Sequence, residues 1–313
     1  MSTRGAPLEV VAAVLRDAQG RVLLARRAAG REHAGLWEFP GGKREAGEAP
    51  AAALARELRE ELGIDATGAT PLWRVPWPGA TRHLVLDAYE VAFRGEPVAH
   101  EHDALAWVAI HDLHRHAMPP ADRPIVAALR LPRTCAVTPD ETDPARIERA
   151  LAAALAAGAR LVQLRAPRVP PSALPGLARR AAALARASGA MLVLHGDASL
   201  AAELALDGVH LPASYWREGG RPALPPGMLV GASCHDAGEL ARARDAGADY
   251  VLLGAVRATA THPDREPLGW ERFAGLARSS ALPVFAIGGL APADLARAQA
   301  AGAFGVAGIR AFG

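Results

Sequence analysis

The chain lacks most of what marks a secreted, membrane-bound or nucleic-acid-binding protein. Two cysteines, Cys135 and Cys234, far apart in 313 residues, make no disulfide framework. They read as reduced, partly buried thiols of a cytosolic protein. A formal net charge of +2 leaves no excess for the basic stripe of a general nucleic-acid surface. No run approaches the roughly 18 apolar residues of a membrane span. Met1–Glu9 also carries no apolar signal core. The expectation is a cytoplasmic enzyme or binding protein without nucleic-acid or membrane partners.

What is present suffices for two cores: half the residues are hydrophobic, and the length suggests two domains. The first half mixes short apolar strands, Val10–Leu15, Arg21–Ala25, Leu84–Phe93 and Ala104–Ile110, with helices over Pro50–Leu62 and Pro124–Leu131. The second half alternates eight short apolar runs with Ala-rich helical stretches such as Pro144–Ala157 and Ala173–Ala187. That rhythm implies a parallel sheet and, at eight units, a small (β/α)8 barrel. The boundary falls near Leu131–Thr134, giving domains 1–132 and 133–313 of an α/β protein.

The densest chemistry lies in Gly42-x5-Glu48-x7-Arg56-Glu57-Leu58-x-Glu60-Glu61-x-Gly63-Ile64. Glu57, Glu60 and Glu61 stand at i, i+3 and i+4, on one face of a helix, where like charges repel. A hard divalent cation relieves that cost. Magnesium takes oxygen ligands, keeps several waters and is usually held by a few carboxylates together with substrate phosphates. Gly41 and Gly42 permit a tight loop that offers a carbonyl, and Arg56 can fix a neighbouring carboxylate. A solvated acidic helix face is the plain alternative, and the upstream glycine and Glu48 at fixed spacing weigh against it.

These residues resemble the Nudix box, and Trp37-Glu38-Phe39-Pro40-Gly41-Gly42-Lys43, Arg26-Arg27-Ala28-Ala29, Arg82-His83, Gly95-Glu96-Pro97 and Pro119-Pro120-Ala121 follow the order of the MutT-type 8-oxo-dGTP diphosphatases over roughly residues 8–131. The resemblance implies a Nudix α/β/α sandwich that splits a nucleoside triphosphate into a monophosphate and pyrophosphate with Mg2+, or Mn2+ in its place. It implies metal ligands at the Gly41 carbonyl, Glu60, Glu61 and Glu101, a general base at Glu57 assisted by Arg56, and substrate contacts from Arg27, Phe39, Arg82 and Asp122. Asp122 departs from the asparagine of that family. An ionised aspartate only accepts, whereas asparagine both donates and accepts, so base preference is open. Capping the helix near Pro124 is the other reading of Asp122.

The second half resembles thiamine-phosphate synthase and its TenI-like relatives. The resemblance is carried by Val162-Gln163-Leu164-Arg165, Asp207-Gly208-Val209-His210-Leu211, Ser233-Cys234-His235, Ala248-Asp249-Tyr250-Val251 and Ala286-Ile287-Gly288-Gly289-Leu290. It implies a phosphate site at Gly288 and Gly289, with Gln163 and Arg165 nearby, for a phosphorylated small molecule. The family's Asn-Asp pair for magnesium and pyrophosphate corresponds to His195 and Gly196, its second metal aspartate to Ser199, its lysines to Pro167 and His262, and the TenI histidine to Ala255. The expectation is a degenerate accessory barrel, with His195, His210, His235 and His262 at the C-terminal strand ends. Three readings compete: an oxidised-nucleotide hydrolase with an accessory barrel, a thiamine-pathway enzyme, and a hydrolase regulated by a barrel that senses a phosphorylated metabolite.

Overall fold

A computed structural model describes residues 6–79, 83–259 and 266–309, so Arg82 and His262 lie outside the described residues. The chain divides into two compact units, Met1–Arg130 and Leu131–Gly313.

The first unit holds β1 (Leu8–Leu15), β2 (Val22–Arg27), β3 (Trp37–Glu38), α1 (Pro50–Leu62), β4 (Asp65–Trp77), β5 (Leu84–Arg94), β6 (His102–Val108) and α2 (Arg123–Arg130). One sheet has the order β1-β5-β4, with β1 parallel to β5, and the other β3-β2-β6, antiparallel throughout. α1 starts with Pro50 at its first turn, where a missing N–H costs nothing, and ends at Gly63 with φ 67° in the left-handed region. Its apolar face, Ala53, Leu54, Leu58 and Leu62, packs on Val11, Ala13, Leu15 and Ile64. Burial of that face is what holds α1 still, and its carboxylates inherit the rigidity.

The long strand β4 was not expected from the sequence. Gly68, Pro71 and Pro76 interrupt it, its register with β5 shifts twice, and most of its residues are exposed or half-buried. No apolar alternation marks such a strand.

The second unit closes eight parallel strands into a barrel: β7 (Thr134–Val137), β8 (Leu161–Leu164), β9 (Met191–His195), β10 (Gly208–Leu211), β11 (Leu229–Cys234), β12 (Tyr250–Gly254), β13 (Val284–Ile287) and β14 (Gly305–Gly308). All eight expected strands are present. Helices α3 (Pro144–Ala156), α4 (Leu174–Ala187), α5 (Ala198–Glu203), α6 (Ala237–Asp245), α7 (Gly269–Ser279) and α8 (Leu295–Ala300) connect them, and β10 leads to β11 through a 3-10 turn at Tyr215–Arg217. Inside the barrel Tyr250, Phe285 and Phe304 meet edge to face. Cys135 and Cys234 are free and buried, and burial pushes the Cys135 thiol up to about 12.

Candidate functional site

In the first unit, helix α1 and the loop before it assemble around one arginine. Arg56 grips Glu48 with two parallel hydrogen bonds, Nε to Oε1 at 3.1 Å and Nη2 to Oε2 at 3.0 Å. The same guanidinium donates from Nη1 to Glu57 Oε1 at 2.8 Å and to Glu60 Oε2 at 3.3 Å, and from Nη2 to the Lys43 carbonyl at 3.0 Å. A planar fork satisfied on both edges explains why the box fixes the spacing of Glu48 and Arg56. The hydrogen bonds from Arg56 hold the Glu48 carboxyl below the usual carboxylate range. Arg56 thus acts by orienting carboxylates. Arg56 occupies Oε1 of Glu57, which leaves Oε2 without that partner, and the whole carboxylate lies against Gly42.

Glu61 is the buried member of the acidic face. Its Oε2 accepts from the Gly41 N–H at 3.0 Å, and burial, reinforced by Glu38 and Glu57, pushes its carboxyl up to about 7. Gly41 itself has φ 142°, and a Cβ there would meet the Val11 carbonyl oxygen at 2.2 Å, so this turn accepts no side chain. Glu101, just before β6, pairs with Arg31 at 2.6 Å. Among the described residues no three His, Cys, Asp or Glu side chains converge into a ready-made cation cage. Instead Arg56 and Arg31 each engage one oxygen of Glu57, Glu60 and Glu101.

Two members of the site escaped the sequence reading. Glu38 pairs with Arg27 and, at 3.4 Å, with His102, whose side chain is 2% exposed and also lies 3.8 Å from Glu61. Burial alone would lower the His102 pKa; the hydrogen bond to Glu38 and the charges of Glu61 and Glu38 outweigh it and leave the value raised. The signal was available in β3, where a two-residue strand must send Trp37 and Glu38 to opposite faces. Arg27, engaged by Glu38 and the Glu32 carbonyl, lies beside this cluster.

Asp122 is buried, and its carboxyl faces the loop rather than capping α2. The Phe39 N–H donates to it, and burial followed by the Glu38 charge pushes it up to about 7. The helix start is served by the Asp122 carbonyl, which accepts from Ile125 and Val126. The Phe39 ring is 3% exposed and supports the site from the core.

In the second unit a cavity of about 460 Å3 opens at the C-terminal ends of the strands, lined in part by Gln163, Arg165, His195, Ser233, His235, Gly288 and Gly289. The four residues expected at the phosphate site therefore share one wall system. His195 and His235 belong to the mouth, but His210 does not. It sits within β10 at 0% exposure, beneath the cavity, because its strand position points it into the barrel. The barrel expected to be a degenerate accessory thus carries a formed cavity.

Residues 134–312 match the family described as thiamine monophosphate synthase (TMP-TENI), and residues 6–129 match the NUDIX domain. The CTP pyrophosphohydrolase of Escherichia coli (strain K12) is 43% identical over 122 residues, 39% of this chain and 90% of that protein. The thiamine-phosphate synthase of Laribacter hongkongensis (strain HLHK9) is 41% identical over 169 residues, 52% of this chain and 78% of that protein. The thiamine biosynthesis bifunctional protein ThiM/ThiE of Symbiobacterium thermophilum is 41% identical over 167 residues, 51% of this chain. This chain spans 34% of that relative's length.

Proposed function

From a chain that belongs to the thiamine monophosphate synthase family over residues 134–312 and to the Nudix hydrolases over residues 6–129, we propose a nucleoside triphosphate pyrophosphohydrolase joined to a barrel that binds a phosphorylated small molecule. The observation that carries the hydrolase reading is the Glu57 carboxylate, fixed by Arg56 on the face it shares with Glu60 and Glu61. Those side chains fit a hard divalent cation. All are oxygen donors, and Glu61 is buried among like charges that a cation would offset. Glu60, Glu61, Glu101 and the Gly41 carbonyl would hold it. Bound there, Mg2+, or Mn2+ in its place, supplies neutralisation of the charge developing on the phosphate oxygens. Glu57 Oε2 takes the proton of the attacking water, while Arg56 keeps Oε1 from turning. The products are a nucleoside monophosphate and pyrophosphate.

Asp122 sets the base. As a buried acceptor it suits an exocyclic amine, the pattern of cytosine, and when protonated it adds a donor for the adjacent ring nitrogen. The name of the Escherichia coli relative supports cytosine. The oxidised guanine of 8-oxo-dGTP, the substrate of a nucleotide-sanitising enzyme, is the second reading; it needs Asp122 protonated to meet a carbonyl oxygen. Initial rates on CTP, dCTP, 8-oxo-dGTP and dGTP with Mg2+, at pH 6 and pH 8, decide between them. Cytosine preference holds at both pH values if the first reading is right. A preference for 8-oxo-dGTP that fades at pH 8 replaces it with the second, and no hydrolysis of any of the four rejects both.

For the barrel, the family match favours a working site over a spacer. A barrel that itself makes thiamine phosphate, as the names of its relatives describe, is tested by complementing a synthase-deficient strain on thiamine-free medium. Among the described residues no helix is long and apolar enough to cross a membrane.

A further inference from the structure

Thiamine-phosphate synthases are expected to hold pyrophosphate through a magnesium ion, and this barrel's residues do not fit one. No Asp or Glu is among the described residues lining the cavity. The carboxylates just beyond the ends of β7, β9 and β11 are already engaged. Asp140 faces Arg165 at 3.6 Å and Arg168 at 3.4 Å. Asp197 caps α5 by accepting from the Leu200 N–H, and Asp236 caps α6 by accepting from Glu239. Glu239 accepts from both the N–H and the Nδ1 of His235.

The wall presents hydrogen-bond donors instead. The Gln163 amide nitrogen donates to His195 Nδ1 at 3.2 Å, which places the ring proton of the neutral histidine on Nε2. Below it, the wholly buried His210 has Nε2 2.9 Å from Ser233 Oγ. His210 Nδ1 and Tyr250 Oη are both buried and have no hydrogen-bond partner. Each lies 2.5 Å from where a Cβ on Gly231 would sit, so only a glycine there leaves room for both rings. Ser233 itself lines the cavity. Burial, helped by Arg165 for His195 and by His195 for His210, keeps both rings neutral.

The opposite wall is built the same way. Arg257 takes the carbonyl of Gly288 through its backbone N–H at 3.1 Å and that of Gly289 through its guanidinium at 3.0 Å, and both glycines line the cavity. A Cβ on Gly288 would strike Ala255 at 2.6 Å, so the turn keeps its glycine.

We propose that the barrel mouth is a metal-independent site for a small phosphate ester whose other end is an anionic acceptor such as a carboxylate. The Gly288 and Gly289 amides take the phosphate, and Arg165, the His195 Nε2–H and the Ser233 hydroxyl take the acceptor. This rests on the reading of the barrel as a site for a phosphorylated small molecule. Phosphoglycolate is a minimal probe, with inorganic phosphate as its control, titrated calorimetrically into the full chain in EDTA. Phosphoglycolate is expected to bind about tenfold or more tightly than phosphate, and added Mg2+ to change this by less than about threefold. Arg165→Gln and Ser233→Ala should each remove most of the advantage, and Glu57→Gln, in the other unit, should leave it intact. Arg165 is at the rim with its side chain 21% exposed, so Arg165→Gln carries the test if Ser233→Ala does not fold. Binding that requires Mg2+ and is lost in Arg165→Gln overturns metal independence alone. Binding unchanged in both variants overturns the placement, and no binding of either probe with or without Mg2+ overturns the underlying reading as well.

Discussion

The Glu57 carboxylate lies against the bare Cα of Gly42: a Cβ added there would come within 2.3 Å of Oε2 and 2.4 Å of the carboxyl carbon. The glycine of the box is therefore a mould for the base. Gly42→Ala should push Glu57 aside and lower kcat on the order of 10²-fold, the cost of about 1 Å of misplacement. The melting temperature should change little. Steady-state kinetics beside a thermal melt checks this, and kcat within about threefold of the wild type would deny the contact its role.

Glu57→Gln preserves volume and the hydrogen bond to Arg56 but removes the basic oxygen. The expected loss in kcat is on the order of 10²–10⁴-fold with an unchanged fold. If near-full activity survived in Mg2+, the base would have to be sought elsewhere on the acidic face.

Asp122 gives a pH signature in stability. Burial raises its folded-state value to about 7 from the ordinary 3.8, so the native protein binds a proton there that the unfolded chain has released. That contribution is fully present below about pH 3.8 and is lost as pH rises through about 7. Asp122→Asn removes the dependence. The variant's melting temperature relative to the wild type should climb by several degrees between pH 5 and pH 8 and level off above. A constant difference across that range would mean that Asp122 is ionised when folded.

The hydrolase residues named here all precede Arg130, where the first compact unit ends. Residues 1–132 expressed alone should fold and keep most of the nucleotide hydrolysis. A folded but inactive fragment would show that the barrel contributes to the site.

Much of this was legible because the chemistry is local in sequence. A helix carrying Glu57, Glu60 and Glu61 on one face can be read from spacing, and so can the loop glycines and Arg56 that hold them. The barrel strands were legible for a related reason: each is a short apolar run buried on both faces. What depends on distant pairing was not. β4 has no pattern because β5, not its own alternation, keeps it in place. Glu38 and His102 meet only when β3 and β6 flank β2, and the depth of His210 follows from barrel register, which pairs it with His195 and Gly231. The bond between His210 and Ser233 likewise depends on atoms brought together by neighbouring strands.

The pairing of β3 with β2 sets Trp37 opposite Arg26 and Glu38 opposite Ala25, with Arg26 over the indole and Glu38 turned to Arg27 and His102. Two residues of strand thus sort a hydrophobic wedge from an anion by parity alone. One residue gained or lost between Gly35 and Gly41 would exchange them, driving an indole into the acidic cluster and stranding a carboxylate on the other face. Among natural variants this segment should drift in side chain while holding its length, so that deletions here are selected against even where substitutions pass.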